Sequence, residues 1–310
     1  MATILFRSTP SAEARWRPLL AALMPEHEFR FWPEIGDPAA IEYALVWRPE
    51  PGLLASLPKL KLIVGLGAGV DALLQDPTLP RHLPLVRLVD PYMTDAMSEY
   101  VAFQVLRLHR QDIDYLNQQR ARVWEEREQK NACERRVGIL GFGTLGQDAG
   151  RKLKALGFDV AGWSRSPRAV PGFVSHAGRA GFEQILARSE ILVCLLPLTP
   201  ATEGILDAAA FARLPAGAAL VNAGRGGHLV EADLIPALDS GQLSGAVLDV
   251  FRDEPLPPDH PFWTHPRIIV TPHVAAETHP PTAAAIIRDE IRRFETGEVL
   301  LNQVDPSRGC

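Results

Sequence analysis

Val137-Gly138-Ile139-Leu140-Gly141-Phe142-Gly143-Thr144-Leu145-Gly146 is the stretch that decides the fold. An apolar run leads into G-x-G-x-x-G and then into helix-forming residues, a pattern typical of a strand, a tight turn and a helix start. Gly141 permits the turn, Gly143 lets a pyrophosphate approach the helix, and Gly146 allows close packing of strand and helix. A glycine-rich turn without function is the alternative, but the flanking pattern favours a dinucleotide site that also includes Phe142, Thr144 and Leu145.

The residues after the next predicted strand, 158–163, indicate which dinucleotide binds. An NAD site usually carries Asp or Glu there, about twenty residues beyond the glycines, for the ribose 2′-hydroxyl. This chain has Ser164-Arg165-Ser166-Pro167-Arg168 instead. Arginine forms paired, charge-assisted hydrogen bonds with a phosphate, whereas an acid would repel it. We therefore expect NADP(H) in preference to NAD(H), bound by Ser164, Arg165, Ser166 and Arg168; a solvated basic loop is the alternative.

Composition and charge set broader bounds. The 310 residues, 46% hydrophobic, predict two domains. A net charge of −5 without a basic stripe argues against nucleic acid and anionic membrane as partners. Cys133, Cys194 and Cys310 are widely spaced, which favours neither a disulfide framework nor a metal site. The N-terminus is typical of a core strand rather than a signal peptide, so we expect a soluble, cytoplasmic protein without a metal.

Short apolar runs alternate with helical patterns along the chain. Strands are predicted at 44–47, 62–64, 85–88 and 191–194, so we expect β-α units and parallel sheets. A long helical stretch, Ser98–Arg127, interrupted near Asp112, should connect the two domains. A final strand is predicted at 268–270. Pro280-Pro281 should then open a last helix that runs through Phe294 and ends at Gly297.

Two further glycine clusters are candidate anion sites. The first, Gly65-Leu66-Gly67-Ala68-Gly69-Val70-Asp71, lacks the dinucleotide spacing, so it favours a small carboxylate, with a structural turn as the alternative. The second, Asn222-Ala223-Gly224-Arg225-Gly226-Gly227, follows an apolar run. Arg225 therefore lies where parallel sheets bind ligands, and it can pair a carboxylate and polarise a carbonyl. A surface arginine is the alternative.

Three other polar residues, Asp249, Glu254 and His273, lie at or beyond the ends of predicted strands. Hydride transfer to a ketone creates an alkoxide that needs a proton, and a histidine can supply it near neutral pH. Glu254 could orient the ring of His273, while Arg225 would stabilise the developing negative oxygen. An isolated histidine is, however, more often structural than catalytic.

In their order and spacing these motifs resemble the D-isomer-specific 2-hydroxyacid dehydrogenases over nearly the whole chain. The resemblance rests on the glycine turn and four further segments: Leu195–Thr202, Asn222–Gly226, Leu248–Leu256 and Thr271–His273. Within the family, the chain is most similar to the bacterial glyoxylate/hydroxypyruvate reductases of the A type. That narrower likeness rests on Trp163–Ser166, Ala44–Trp47 and Asp259–Trp263. The missing acid after Trp163 departs from the common family pattern and places NAD use in doubt.

The resemblance implies an α/β fold in which a Rossmann NADP-binding domain, residues 99–280, is inserted into a flavodoxin-like substrate domain, residues 1–98 and 281–310. It implies NADPH-dependent reduction of glyoxylate to glycolate and of hydroxypyruvate to D-glycerate. Arg225 would bind the carboxylate and carbonyl of the 2-keto acid, His273 would be the acid/base, and Glu254 would support it.

The resemblance also implies contacts around the reacting groups. Substrate contacts fall on Gly67, Ala68 and Gly69, with Trp47 as a wall that favours short substrates. Cofactor contacts fall on Asp249, near the nicotinamide, and on Leu196, Pro197, Thr202 and Ala223.

Other functions and the oligomeric state stay open at this point. Another enzyme of the family, of the D-lactate or phosphoglycerate type, is one alternative, and a corepressor-like, dinucleotide-sensing module without enzymatic activity is a second. The resemblance implies a homodimer in which a helical segment, 112–130, packs against a partner subunit with Trp124. The alternative interpretation of that segment is an interdomain helix with a buried tryptophan.

Overall fold

The computed structural model describes residues 1–305, and Cys310 lies outside this range. The strands are β1 Thr3–Arg7, β2 Glu28–Phe31, β3 Ile41–Val46, β4 Leu62–Gly65, β5 Leu85–Val86, β6 Arg136–Leu140, β7 Asp159–Ser164, β8 Val174–Ala177, β9 Ile191–Cys194, β10 Ala218–Asn222, β11 Leu243–Leu248 and β12 Ile268–Val270. The helices are α1 Pro10–Leu23, α2 Asp71–Leu74, α3 Pro91–His109, α4 Asp112–Ala121, α5 Thr144–Ala155, α6 Gly178–Arg188, α7 Ala208–Arg213, α8 Glu231–Asp239 and α9 Pro280–Thr296.

The chain divides into two compact units. The first comprises Met1–Met93 and the segment from Thr278 onward, and the second comprises Thr94–Glu277. The expected boundaries, after residues 98 and 280, therefore fall a few residues later than the observed ones. The first difference arises because α3 begins at Pro91, earlier than the sequence pattern predicts, and the observed boundary falls within this helix.

The sheet of the first unit is entirely parallel, in the order β2-β1-β3-β4-β5. This is the strand order of flavodoxin-like folds. Apolar side chains of β1, β3 and β4 form its core, because both faces of a central parallel strand are buried. The predicted final helix is confirmed as α9, which ends at Gly297 in a left-handed conformation, φ +72°.

The sheet of the second unit is also parallel, in the order β12-β11-β10-β9-β6-β7-β8. Numbered from its own first strand, it extends the 3-2-1-4-5-6 order of the Rossmann fold by one strand. The strand order reverses between β6 and β9. The glycine turn follows β6, so it lies at the switch point where such sheets bind dinucleotides.

The helical prediction for residues 112–130 is wrong over its second half. The predicted interruption is confirmed at Gln111, φ +59°, but α4 ends at Ala121 because Arg122 takes a left-handed conformation, φ +57°. The residues from 123 to 131 are exposed and not helical, and Trp124 is 96% exposed rather than buried. Good helix formers are not sufficient here, since most helices are stabilised by packing an apolar face and this segment packs none.

Within residues 1–305, no helix is long and apolar enough to cross a membrane.

Candidate active site

The carboxyl ends of five neighbouring strands in the second unit form one edge of the sheet. The register aligns the last residue of each strand in a single row: Leu140, Cys194, Asn222, Leu248 and Val270. Because the strands are parallel, the segments that follow them leave the sheet at the same edge, where open α/β sheets bind ligands. These segments carry the glycine turn, Arg225, Glu254 and His273.

The glycine turn has the geometry that the sequence predicts. Gly141 has φ +92°, and a Cβ atom there would lie 2.6 Å from the carbonyl oxygen of Leu195. A Cβ atom at Gly146 would lie 2.3 Å from the carbonyl oxygen of Gly141, which confirms the close packing of strand and helix. Gly143 is the N-cap of α5 and has no side chain to cap it. The first N–H groups of α5 therefore fit a pyrophosphate.

Several predicted cofactor residues can offer only their backbone to a ligand. The ring of Phe142 is buried against Phe173, with ring centroids 5.1 Å apart. Leu196 and Ala223 are also buried in the apolar core. Because these side chains are buried, contacts of Phe142, Leu196 and Ala223 with a dinucleotide would come from their main-chain atoms.

Thr202 shapes the loop after β9. Its Oγ1 donates a hydrogen bond to the carbonyl oxygen of Pro197 at 2.7 Å and accepts one from the N–H of Thr199 at 2.9 Å. Pro197 itself is exposed. The hydroxyl of Thr202 therefore holds the loop, and the predicted cofactor contact of this residue stays a prediction.

The basic segment Ser164–Arg168 begins beside the glycine turn. Leu140 pairs with Trp163 in the sheet, and the carbonyl oxygen of Trp163 accepts the N–H groups of Gly141 and Phe142, both at 3.0 Å. Arg165, Ser166 and Arg168 are exposed. This position is that of the acidic residue in an NAD site, so the residues present fit a 2′-phosphate better than a 2′-hydroxyl.

His273 and Glu254 form the predicted pair. Nδ1 of His273 lies 2.9 Å from Oε2 of Glu254, and the two side chains are 30% and 15% exposed. The other carboxylate oxygen, Oε1, accepts the N–H of Phe251 at 3.0 Å, so the carboxylate is held from two sides. Nε2 is therefore the ring atom that would exchange a proton with a substrate. The backbone of His273 is left-handed, φ +55°, a strained conformation that is concentrated at functional sites.

Asp249 holds the segment that carries His273. Its carboxylate is fully buried: Oδ1 accepts the Thr271 hydroxyl at 2.6 Å and the Val274 N–H at 3.0 Å, and Oδ2 accepts the Ala275 N–H at 2.9 Å. The hydroxyl of Tyr100 lies 2.7 Å from Oγ1 of Thr271. Burial raises the pKa of Tyr100, so its hydroxyl stays protonated and can donate. The contact of Asp249 with the nicotinamide, which the family resemblance implies, stays a prediction, while its carboxylate holds the loop in position.

Arg225 is half-buried on a loop that is fixed at several points. Oδ1 of Asn222 accepts the Gly224 N–H at 3.2 Å, and Nδ2 of Asn222 donates to the carbonyl oxygen of Arg225 at 3.1 Å. A Cβ atom at Gly226 would lie 1.8 Å from the carbonyl carbon of Phe251. The arginine loop therefore presses against the segment that leads to Glu254, and the structure brings these two parts of the predicted site together.

The first unit carries the predicted substrate residues at the ends of β3 and β4. Val46 pairs with Gly65, so Trp47 and the 65–71 loop emerge side by side. The Trp47 ring packs on Gly67, where a Cβ atom would lie 2.4 Å from Cζ3. The guanidinium of Arg48 lies 5.7 Å from the ring centroid of Trp47. Trp47 and the glycine loop are therefore in contact, and their role as a substrate site stays a prediction.

Comparison with known proteins agrees with this geometry. The family model for the NAD binding domain of D-isomer specific 2-hydroxyacid dehydrogenases matches residues 102–275. The chain is 42% identical over 306 residues to glyoxylate/hydroxypyruvate reductase A of Yersinia enterocolitica, and the match covers 97% of each sequence. The chain belongs to the D-isomer-specific 2-hydroxyacid dehydrogenases. The predicted family is confirmed.

Solved structures of this family superimpose closely. An NADPH-dependent glyoxylate/hydroxypyruvate reductase from Sinorhizobium meliloti, determined with NADP and sulfate, is 41% identical and gives a TM-score of 0.94 over 100% of both chains. A D-isomer specific 2-hydroxyacid dehydrogenase from Xanthobacter autotrophicus Py2, determined with NADPH and MES, is 44% identical and gives a TM-score of 0.94, covering 100% of this chain and 99% of that one. The predicted fold class is confirmed.

The sequence patterns missed some residues that hold the site. Tyr100 lies far from Thr271 in sequence, and no local pattern connects them. His228 accepts a hydrogen bond from the backbone of Arg225. Its spacing of three residues after Arg225 is the signal that could have identified it, because side chains at that distance can bond the first N–H of a short helical turn.

Proposed function

We propose that this dehydrogenase reduces glyoxylate to glycolate and hydroxypyruvate to D-glycerate with NADPH. The observation that carries the proposal is the pair of His273 and Glu254, which lies at the ligand-binding edge of a Rossmann sheet next to the loop of Arg225. An acid/base histidine and an arginine are the groups that reduction of a 2-keto acid needs. The reductases from Yersinia enterocolitica and Sinorhizobium meliloti named above support the substrate class.

The catalytic side chains have separate roles in this proposal. Arg225 binds the substrate carboxylate through paired hydrogen bonds and stabilises the negative charge that develops on the carbonyl oxygen. His273 donates a proton to that oxygen through Nε2. Glu254 keeps Nδ1 of His273 engaged at 2.9 Å and compensates the charge of the protonated ring. The N–H of Phe251 fixes the carboxylate so that the ring has one orientation.

The cofactor would be held by the glycine turn and the basic segment. The start of α5 would bind the pyrophosphate, and Arg165 and Arg168 would bind the 2′-phosphate. When bound, NADPH supplies the hydride that the carbonyl carbon accepts. Asp249, Leu196, Pro197, Thr202 and Ala223 remain predicted cofactor contacts through main-chain or exposed atoms.

In the first unit, Trp47 and the backbone at Gly67, Ala68 and Gly69 are the proposed substrate contacts. The Trp47 ring packs directly on Gly67, so a bulky aromatic side chain borders these backbone groups. This supports glyoxylate and hydroxypyruvate over longer 2-keto acids, although one methylene changes discrimination by only about 1–3 kcal/mol.

Initial rates of NADPH and NADH oxidation at matched concentrations test the proposal. Glyoxylate, hydroxypyruvate, pyruvate and 3-phosphohydroxypyruvate serve as separate substrates. We expect rapid reduction of the first two with NADPH. Preference for pyruvate or for the phosphorylated acid would favour an enzyme of the D-lactate or phosphoglycerate type. Dinucleotide binding without turnover of any of the four would refute the proposal and favour a corepressor-like sensor.

A homodimer and a cytoplasmic location stay predictions from the sequence. The segment from 123 to 131 is exposed and not helical, and the exposed Trp124 on it supports a contact with a partner subunit.

A further inference from the structure

The buried His228 is hydrogen-bonded to the backbone of Arg225, the residue proposed to bind the substrate. His228 is 0% exposed, and its Nδ1 accepts the backbone N–H of Arg225 at 3.1 Å. A backbone N–H can only donate, so Nδ1 must be the unprotonated nitrogen of a neutral ring. The sequence and the proposed mechanism give His228 no role.

The imidazole ring of His228 packs against the backbone of the Arg225 loop. A Cβ atom at Gly224 would lie 3.0 Å from both Nδ1 and Cε1, so the chain from Gly224 to Arg225 runs against the ring. The guanidinium of Arg225 donates through Nη1 to the carbonyl oxygen of Gly224 at 2.7 Å. A shift of the Gly224–Arg225 peptide would therefore move the side chain of Arg225 with it.

His228 is itself held in place by surrounding groups. Its backbone N–H donates to the carbonyl oxygen of Arg225 at 3.2 Å, and its carbonyl oxygen accepts the N–H of Leu206 at 2.9 Å. Sγ of Cys194, at the end of β9, lies 3.7 Å from Nδ1. Burial raises the pKa of Cys194 to about 12, so this neighbour remains an uncharged thiol and can share the same acceptor. The ring thus connects the sheet to the loop.

We propose that His228 is a positioning residue for substrate binding: its Nδ1 fixes the backbone of Arg225 and thereby the guanidinium that binds the 2-keto acid carboxylate. This inference rests on the proposed role of Arg225. It predicts that loss of the acceptor weakens binding of the keto acid and leaves binding of the dinucleotide intact. The glycine turn and the basic segment follow other strands, and Ala223, the predicted cofactor contact on this loop, is held separately because its N–H donates to the carbonyl oxygen of Cys194 at 3.2 Å.

Three substitutions of His228 distinguish the effect of losing the hydrogen-bond acceptor from the effect of losing the volume of the ring. His228→Asn places an amide oxygen where Nδ1 lies, His228→Gln places it one atom further along the side chain, and His228→Leu removes it. His265→Leu is the matched control, because Nδ1 of His265 accepts the N–H of Arg267 at 3.2 Å in the same unit, outside the proposed site. The measurements are KM and kcat for glyoxylate, binding of oxamate to the NADPH complex by calorimetry, the Kd of NADPH, and Tm.

We expect His228→Leu and His228→Gln to weaken oxamate binding and raise KM by about tenfold or more, equivalent to about 1.4 kcal/mol. His228→Asn should keep both within about threefold of the wild type, and all variants should keep the Kd of NADPH within about twofold. If the Leu variant does not fold, the comparison of Asn with Gln carries the same test.

If the wild type reduces glyoxylate, two results for the variants would overturn the inference about His228. One is unchanged oxamate binding and KM in the Gln and Leu variants. The other is equal losses in Asn, Gln and Leu with NADPH binding weakened in parallel, which a purely structural role would produce. A wild type that neither binds oxamate nor reduces glyoxylate overturns the proposed function, and the role of His228 in it as well.

Discussion

Replacing Glu254 by Gln tests the proposed proton donor most directly. Glutamine has nearly the same shape as glutamate, so its amide oxygen can still accept the N–H of Phe251, which lies 3.0 Å from Oε1 in the wild type. The remaining amide group then presents N–H toward Nδ1 of His273, where the carboxylate oxygen lies at 2.9 Å. The loop keeps its main-chain contact, and the imidazole loses its charged partner.

The size of the effect follows from the geometry of the pair. Glu254 is only 15% exposed, so solvent screens the interaction weakly. A hydrogen bond to a charged group contributes about 1.5–3 kcal/mol. At about 1.4 kcal/mol for each tenfold change in rate, its loss should lower kcat by roughly 10- to 150-fold. The Kd of NADPH should not change, because Glu254 is not one of the residues predicted to contact the cofactor.

The assay is steady-state oxidation of NADPH with glyoxylate, followed by absorbance, together with the Kd of NADPH from fluorescence titration. Asp239→Asn is the matched control: Oδ1 of Asp239 lies 3.3 Å from Nε2 of His265, and the aspartate is 70% exposed. An exposed pair contributes little, so kcat of the control should stay within about twofold of the wild type. A kcat of Glu254→Gln within that same range would refute the assignment of His273 as proton donor supported by Glu254.

Three other predictions concern the cofactor, the substrate and stability. Arg165→Ala should raise KM for NADPH at least about tenfold more than KM for NADH, since it removes a paired phosphate contact; equal increases would contradict a 2′-phosphate site, and exposed Arg179→Ala is the control. Gly67→Ala places a Cβ atom 2.4 Å from the Trp47 ring, so KM for glyoxylate should rise by roughly tenfold or more with unchanged NADPH binding; an unchanged KM would exclude Trp47 from the pocket wall. Burial alone would raise the pKa of Glu190, but its hydrogen bonds and three cationic partners lower it overall. This stabilisation is complete above the ordinary carboxyl range and is lost as the pH falls through the lowered value. Glu190→Gln should therefore lower Tm at neutral pH, and its difference from the wild type should shrink in acid; a pH-independent difference would contradict the ion-pair origin.

The sequence predicted those parts of the fold that depend on local backbone requirements or on apolar runs. The glycine turn could be predicted because Gly141 and Gly146 occupy positions where any side chain would collide with main-chain atoms. The central strands could be predicted because both faces of a central parallel strand are buried, which requires continuous apolar runs in the sequence. The pairing of His273 with Glu254 could be expected because both follow neighbouring strands that end at one edge.

Other parts could not be predicted because they depend on tertiary contacts or on their absence. The edge strands β2 and β8 are partly exposed, so their sequences lack a clear apolar run. The segment from 123 to 131 contains good helix formers but packs no apolar face, and so it is not a helix. The family resemblance implies a cofactor contact for Asp249, which stays a prediction, but no local pattern shows that its carboxylate also accepts hydrogen bonds from the His273 segment.

The loops of the second unit show how irregular segments can hold side chains in fixed positions. Loops leave the sheet with backbone N–H groups that must be paired where they are buried. Here side-chain acceptors pair them: Asp249 accepts from the segment of His273, and Asn222 and His228 accept from the segment of Arg225. Each acceptor is fully buried on or beside a strand end, so it transfers the rigidity of the sheet to the loop. The reacting side chains therefore keep their positions without themselves being buried, which leaves them accessible to a substrate.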